Sequence, residues 1–236
     1  MIVDVALQQE LVGDVAGTAV VVIDVVRATS VIGAALAAGA EGVRPVGSVD
    51  EAREVAAAED ALLVGERGGL APEGFDLGNS PGDFTERVCS GRRVVLTTTN
   101  GTRAVERCVG AERLLAASLT NAEVTARSLA DAGHARVLLV CAGSGGLLAI
   151  DDVAAAGCLM GNLALQAGAE PSDGARTAAA VFDAWKHDLH GLLRRSVSGR
   201  KLTEVGLATD LIACARVDAV PVVAELQADG VFRVPA

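Results

Sequence analysis

Residues 17–26 read GTAVVVIDVV, and an alanine-rich segment that closes on Gly39 follows over residues 28–40. A run of Val and Ile of this length predicts a strand buried on both faces, and the segment after it predicts a helix. Buried strands that alternate with helices build parallel sheets. This stretch therefore predicts an α/β fold.

The same pattern recurs along the rest of the chain. Further strands are predicted at residues 43–46, 61–64, 93–96, 113–116, 136–141 and 220–226. Helices are predicted at residues 49–59, 80–89, 102–109, 121–132, 151–166 and 173–189. This alternation predicts a single domain over residues 1–236, with a largely parallel or mixed sheet covered on both faces.

The composition limits the partners that the chain can bind. Of the 236 residues, 51% are hydrophobic and 2% aromatic, so Ala, Val, Leu and Ile must form the core. The formal net charge of −10 argues against a general nucleic-acid or membrane-surface binder, because both partners need a positive field. A small anionic ligand remains compatible, since its site needs only a few arginines and N–H groups.

The cysteines and the N-terminus predict a cytoplasmic protein. The five cysteines are an odd number without CxxC spacing, which is typical of reduced thiols. The N-terminal residues MIVDVALQQELVGD lack the basic region and apolar run of a signal peptide, and no apolar stretch reaches the roughly 20 residues of a membrane span. A protein of this size and class is also expected to form a homo-oligomer, most simply a dimer.

Polar residues follow four of the predicted strands, at the ends where open α/β sheets bind ligands. The first cluster, DVVRATS at residues 24–30, places Asp24 to bind a cation or attack phosphorus and Arg27 to clamp a phosphate. Thr29 and Ser30 add hydroxyl donors at a helix start. The alternative is that Asp24 or Thr29 caps the helix and pairs with Arg27, and the spacing leaves both interpretations open.

Two further clusters offer groups for an anion. Glu66, Arg67 and Asn79 share a glycine- and proline-rich loop over residues 66–82, which favours a site loop over a plain surface excursion. The segment TTTNGTR at residues 97–103 offers hydroxyl, amide and N–H donors to an oxyanion. Its alternative is an ordinary Asn-Gly turn.

The fourth cluster combines a glycine-rich turn with carboxylates. CAGSGG at residues 141–146 is followed by Asp151 and Asp152 at the start of a predicted helix. Oxygen ligands of this kind suit Mg²⁺, but acidic residues also stabilise a first helical turn, so both interpretations stay open. For Cys141, a packing role is favoured over that of a nucleophile.

Taken in order, the motifs DVVRATS, GER, GFDLGNSP, TTNGTRA and CAG with the later IDD and AAG resemble the 2-phosphosulfolactate phosphatase family. A spaced C-terminal series completes the resemblance across nearly the whole chain: Ser198, Leu202, Gly206, Asp210, Cys214, Asp218 and Val220-Pro221. The resemblance implies a three-layer α/β/α fold. It also implies Mg²⁺-dependent hydrolysis of (R)-2-phospho-3-sulfolactate to 3-sulfolactate and phosphate, a step of coenzyme M biosynthesis.

The clusters and the resemblance together predict the site residues. Catalysis is assigned to Asp24, Arg27 and Asn100, and Mg²⁺ to Asp24, Glu66, Asp151 and Asp152. The predicted substrate-binding residues are Arg27, Thr29, Ser30, Arg67, Asn79, Thr99, Asn100, Gly101, Thr102 and Arg103, with Arg67 or Arg103 meeting the sulfonate or carboxylate. Three alternatives remain: a phosphatase of another small phosphorylated acid, a non-catalytic module for an organic anion or nucleotide, and a Cys141-dependent transferase.

Overall fold

A computed structural model describes residues 1–235 of the chain. The strands are β1 (Ile2–Ala6), β2 (Ala19–Ile23), β3 (Gly42–Pro45), β4 (Leu62–Gly65), β5 (Arg93–Thr97), β6 (Arg113–Ala117), β7 (Arg136–Cys141), β8 (Glu170–Pro171), β9 (Ala224–Leu226) and β10 (Phe232–Arg233). The helices are α1 (Ala28–Ala37), α2 (Val49–Glu59), α3 (Glu86–Cys89), α4 (Gly101–Arg107), α5 (Ala122–Ala132), α6 (Ile150–Ala167), α7 (Asp173–Trp185), α8 (Leu189–Arg195), α9 (Val197–Glu204) and α10 (Asp210–Cys214). No helix of this range is long and apolar enough to cross a membrane.

The strands form one mixed sheet in the order β4-β5-β3-β10-β9-β6-β2-β7-β1-β8, with helices on both faces. The expected α/β/α fold is thus confirmed. Strand β2 lies in the sheet interior, and all five of its residues are buried. Val21 and Ile23 pack into one core with α5 and α6, whereas Val20 and Val22 pack into the other with α1. A strand buried on both faces needs an apolar residue at every position, which is the pattern that predicted it.

The sheet consists of two parallel blocks that run in opposite directions. One block is β4-β5-β3 and the other is β6-β2-β7-β1-β8. Three antiparallel pairings lie between them, through β10 and β9. Because the number of reversals is odd, the two blocks point opposite ways. Their carboxyl-end loops nevertheless meet, since Arg27 after β2 bonds Gly69 after β4, and Gly145 after β7 bonds Asn100 after β5.

The blocks contain the same supersecondary unit twice. A first unit over residues 19–70 and a second unit over residues 93–147 each run strand, helix, strand, helix, strand and end in a Gly-Gly-Leu turn. The first strand of each unit is inserted between the second and third strands of the other: β2 lies between β6 and β7, and β5 lies between β3 and β4. The units therefore exchange their first strands, and neither could complete its part of the sheet alone.

Several predicted elements were wrong in extent. The helix predicted at residues 80–89 is a 3₁₀ turn (Pro81–Asp83) followed by the four-residue α3, because the Ser80 hydroxyl bonds Asp210 instead of capping a helix. The strand predicted at residues 220–226 shrinks to β9, and the helix predicted at residues 173–189 ends at Trp185. Strands β1, β8 and β10 were missed, and the last two comprise only two residues each, so pairing defines them rather than sequence pattern.

Candidate active site

A cavity of about 160 Å³ lies where the carboxyl-end loops of the two blocks meet. Both units contribute to its wall, and so does helix α9 near the C-terminus. The lining residues are Asp24, Val26, Arg27, Glu66, Gly68, Gly69, Asn79, Thr98, Thr99, Asn100, Ser144, Gly145, Ser198, Lys201 and Leu202. Four separate stretches of the predicted clusters therefore reach one site, although they are far apart in sequence.

Asp24 is a buried carboxylate in the cavity wall, at the start of α1. Its Oδ1 accepts from the Ala28 amide at 3.3 Å, and its main-chain oxygen accepts from the Thr29 amide at 3.0 Å. The pKa of Asp24 is raised to about 7, chiefly by burial, with a smaller increase from the charges of Asp151 and Glu66 and an opposing decrease from the Ala28 amide and Arg27. A carboxylate with such a pKa is a frequent feature of functional sites.

Asp151 lies deep beside Asp24 and has an unused acceptor. Its side chain is almost fully buried, and within residues 1–235 its Oδ1 has no hydrogen-bond partner. Burial raises the pKa of Asp151 to about 6. Buried polar atoms normally have partners, so a free carboxylate oxygen next to a second carboxylate fits a site for a cation.

Asp152, the second residue of the predicted acidic pair, bonds the main chain through both oxygens. Its Oδ1 accepts from the Val25 amide at 2.9 Å and its Oδ2 from the Gly143 amide at 3.0 Å. Burial, together with the charges of Asp151 and Asp24, raises the pKa of Asp152 well above its usual range. Both oxygens hold main chain just after β2 and β7, so Asp152 orders the loops there, and its role as a metal ligand stays a prediction.

Both carboxylate oxygens of Glu66 also accept hydrogen bonds from the protein. Oε1 accepts from the amide and hydroxyl of Thr99, each at 2.8 Å, and Oε2 accepts from the Gly69 amide at 2.8 Å. The side chain therefore ties the turn after β4 to the loop after β5. Among residues 1–235, no group of three or more His, Cys, Asp or Glu residues is arranged to hold a metal ion. Of the four predicted metal ligands, Asp24 and Asp151 are the pair that fits a hard cation.

Arg27 lines the cavity and is also held firmly by the fold. One guanidinium nitrogen donates to Asp210 at 2.5 Å and to Ser80 at 3.2 Å, and the other donates to the Gly69 carbonyl at 2.6 Å. The predicted structural role is therefore observed, although with Asp210 as the partner and not Asp24. Its role as a phosphate clamp stays a prediction.

Four of the predicted substrate-binding residues are not among those that line the cavity. The Thr29 hydroxyl bonds the Asp24 main chain, and the Ser30 hydroxyl donates to the Val25 carbonyl at 2.8 Å. The Thr102 hydroxyl donates to the Thr98 carbonyl at 2.9 Å. Gly101 is the fourth: a Cβ there would lie 2.7 Å from Oδ2 of Asp24 and would also collide with Ala28. These residues fix the loops beside the cavity, and their assignment as ligand contacts stays a prediction.

Arg67 and Arg103 do not line the cavity either. Arg67 donates to the Glu66 carbonyl at 2.6 Å and to the Thr97 hydroxyl at 3.0 Å, and Arg103 is exposed on α4. Sequence reasoning had placed one of them against the sulfonate or carboxylate of the substrate. In the part of the chain that the structure describes, the cations of the cavity wall are instead Arg27 and Lys201.

Three predicted residues with amide or hydroxyl side chains, Asn79, Thr99 and Asn100, do line the cavity. Asn100 lines the cavity with its Oδ1 accepting from the Gly145 amide at 3.3 Å, so its NH₂ group is left for other partners. Thr99 lines the cavity beside it. Asn79 is buried in the wall, and its Oδ1 finds no hydrogen-bond partner in the described chain. These three side chains are the predicted neutral groups that the fold brings together.

Sequence reasoning missed two parts of the site. The turns at residues 67–70 and 144–147 share the sequence Gly-Gly-Leu, and both central glycines have positive φ in each turn. This repeated tripeptide was a usable signal for a paired structure. The other part is Lys201 on α9, within a segment for which no helix or strand was predicted. Its short helix has no periodicity long enough to identify a face.

Cys141 does not have the environment of a nucleophile. Complete burial is the largest effect that raises the pKa of its thiol well above the usual range, and the charges of Asp152 and Asp151 add to it. The reactive form is the thiolate, which this environment disfavours. The packing role predicted for Cys141 agrees with this, and the thiol-dependent alternative loses its support.

Comparisons with known proteins identify the family. The family model described as 2-phosphosulpholactate phosphatase matches residues 6–229. A protein of Gloeobacter violaceus named probable 2-phosphosulfolactate phosphatase is 39% identical over 226 residues, which is 94% of each chain. One of the same name from Thermus thermophilus is 41% identical over 199 residues, covering 84% of this chain and 83% of its own. The chain belongs to the 2-phosphosulfolactate phosphatase family.

Proposed function

We propose that this protein is a Mg²⁺-dependent phosphatase that hydrolyses (R)-2-phospho-3-sulfolactate to 3-sulfolactate and phosphate. The observation that carries the proposal is the buried carboxylate of Asp24, which lines a cavity together with Arg27 and Asn100 and has the buried Asp151 as a charged neighbour. An anion receptor gains nothing from two buried carboxylates beside its ligand unless a cation intervenes. The names of the similar proteins support the substrate class.

The chain's own residues account for binding and positioning. Asp24 and Asp151 would hold the cation, which when bound neutralises charge on a phosphate oxygen. Asn100 and Arg27 line the cavity, and the NH₂ group of the first and the guanidinium of the second would orient the phosphate. Attack by water is the simplest chemistry. Attack by Asp24 itself is the alternative, in which the carboxylate oxygen bonds phosphorus as the ester oxygen leaves.

A phosphate-release panel tests the reaction, the substrate class and the cofactor together. The substrates are 2-phosphosulfolactate, 2-phospholactate, phosphoglycolate and p-nitrophenyl phosphate, each assayed with Mg²⁺ and after chelation. We expect release from 2-phosphosulfolactate to be fastest, to stop after chelation and to return with Mg²⁺. Full turnover after exhaustive chelation would refute the metal role, and no release from any ester would favour the binding-module alternative.

The proposed cellular setting is the cytoplasm. The five cysteines are all buried and free, which fits the reducing cytoplasm that the sequence predicts. A step in coenzyme M biosynthesis and a homodimeric assembly are the corresponding expectations for pathway and quaternary structure. Light scattering coupled to size-exclusion chromatography measures the second directly, and a monomeric mass would contradict it.

A further inference from the structure

Helix α9 presents one face to the cavity. Ser198, Lys201 and Leu202 all line it, and their spacing of three and four residues puts them on the same side of a helix. Leu202 is buried and packs near Gly69 of the first Gly-Gly-Leu turn. The helix is therefore anchored against the site, and Lys201 is held at its edge.

Lys201 is the unneutralised cation of this cavity. The charge of Arg27 is balanced by Asp210 through a buried ion pair. Across residues 1–235, Lys201 forms no ion pair, and it is exposed to solvent. The cavity wall also carries the carboxylates Asp24 and Glu66. A substrate with several negative charges therefore needs the Lys201 charge more than a simple phosphate ester does.

The burial of the charged residues in the cavity wall indicates how the substrate is oriented within the cavity. Asp24 and Arg27 are buried, so the phosphate belongs at the inner end, whereas the exposed Lys201 marks the outer end. In 2-phosphosulfolactate the carboxylate is attached to the carbon that carries the phosphate ester, and the sulfonate is attached one carbon further away. The sulfonate is thus the acid group that reaches the outer end.

We propose that the Lys201 ammonium, together with the Ser198 hydroxyl, binds the substrate sulfonate and makes the site selective for sulfonated phosphate esters. This inference rests on the proposed function and replaces the earlier assignment of the sulfonate to Arg67 or Arg103. An ammonium group offers three donors from a compact charge, which suits the three equivalent oxygens of a sulfonate. The planar fork of an arginine is better matched to a carboxylate.

The test compares substrates with and without the sulfonate in Lys201→Met. The assay measures kcat and KM for 2-phosphosulfolactate, for 2-phospholactate, which lacks the sulfonate, and for 2-sulfoethyl phosphate, which lacks the carboxylate. Lys186→Met is the matched control, because Lys186 is the only other lysine of the sequence and pairs with Asp183 on the surface. Lys201→Arg keeps the charge and tests rescue.

We expect Lys201→Met to lower kcat/KM about 10- to 100-fold for both sulfonated esters, mainly through KM, with 2-phospholactate changed less than about threefold. Lys201→Arg should recover most of the loss and Lys186→Met should match the wild type.

An equal loss on all three esters, or no loss on any, overturns the Lys201 inference while the wild-type activity stands. A loss only on the two carboxylated esters would place the carboxylate there instead, which also overturns it. A wild type inactive on 2-phosphosulfolactate refutes the proposed function itself and the inference with it.

Discussion

The two units of the molecule have the same architecture and different chemistry. After its first strand, the first unit carries Asp24 and Arg27, whereas the second carries Thr98 and Asn100 at the corresponding places before α4. Arg27 and Asn100 are each the residue before a helix, and each bonds the Gly-Gly-Leu turn of its own unit. The contacts that the two units share stabilise the fold. The charged residues Asp24 and Arg27, which only the first unit has, form the reactive side of the cavity.

The helices α1 and α4 start against each other, since Gly101 leaves no room for a side chain beside Ala28. Each block is completed by the first strand of the other unit, so the two loop sets are held face to face. A repeated scaffold thus places the charged groups of one unit opposite the neutral donors of the other. A comparison of variants at equivalent positions of the two units is therefore the sharpest test of the arrangement.

The largest expected effect is at Asp24. Asp24→Asn keeps the side-chain volume and removes the negative charge, so we expect turnover to fall on the order of 10³-fold in a folded protein. The counterpart change Thr98→Val removes only the acceptor for the Thr102 amide, and it should cost about tenfold or less in rate. Phosphate release from both purified variants checks the contrast. Near wild-type turnover in Asp24→Asn would move the chemistry to Asp151.

A smaller effect is expected at Arg27. Lysine keeps the charge but cannot bond Asp210, Ser80 and the Gly69 carbonyl together, so Arg27→Lys should lower both kcat/KM and the melting temperature. We expect about 10- to 100-fold in kcat/KM and several degrees in Tm, because the change weakens a buried ion pair.

Two variants serve as comparisons for Arg27→Lys. Arg103→Lys on the exposed face of α4 should change neither quantity. Asn100→Ala, at the counterpart position, should lower the rate with little effect on stability, since the one hydrogen bond of the Asn100 side chain to the fold is 3.3 Å long. If Arg27→Lys melts several degrees lower but keeps its kcat/KM, Arg27 serves the fold alone.

The smallest expected effect is on the pH dependence of folding stability when no metal ion is bound. Burial raises the pKa of Asp24 to about 7 and that of Asp151 to about 6, from a reference value of 3.8. Between about pH 4 and pH 7 the folded state therefore binds more protons than the unfolded state, so these groups make stability fall as pH rises through that window.

Asp24→Asn removes part of this penalty. In chelator we expect the variant to melt a few degrees above the wild type at about pH 8, with the difference shrinking towards about pH 5. Thr98→Val should show no such pH-dependent gain. Thermal melts of the wild type, Asp24→Asn and Thr98→Val at both pH values measure the difference in Tm. A wild type that is more stable than Asp24→Asn at about pH 8 would contradict the prediction.

Local pattern predicted much of the fold. Residues 49–59 and 136–141 were predicted with the observed bounds of α2 and β7, because helical capping and a buried apolar run are properties of contiguous residues. The strand-end clusters were likewise visible, since polar residues after apolar runs mark where chains leave a sheet. The strand exchange and the opposed blocks were not predictable this way, because pairing partners are set by contacts across the whole chain.

The candidate site likewise has features that the sequence predicts and features that only the fold decides. The sequence by itself determined which loops carry the chemistry, and it identified Asp24, Arg27, Asn100 and Asp151 among the candidates. Only the tertiary structure decided which atoms remain available: it commits Asp152, Thr29 and Arg67 to the protein and brings Lys201 to the cavity. The physical reason is that residue type gives the number of donors and acceptors, whereas the folded arrangement decides which of them already have partners.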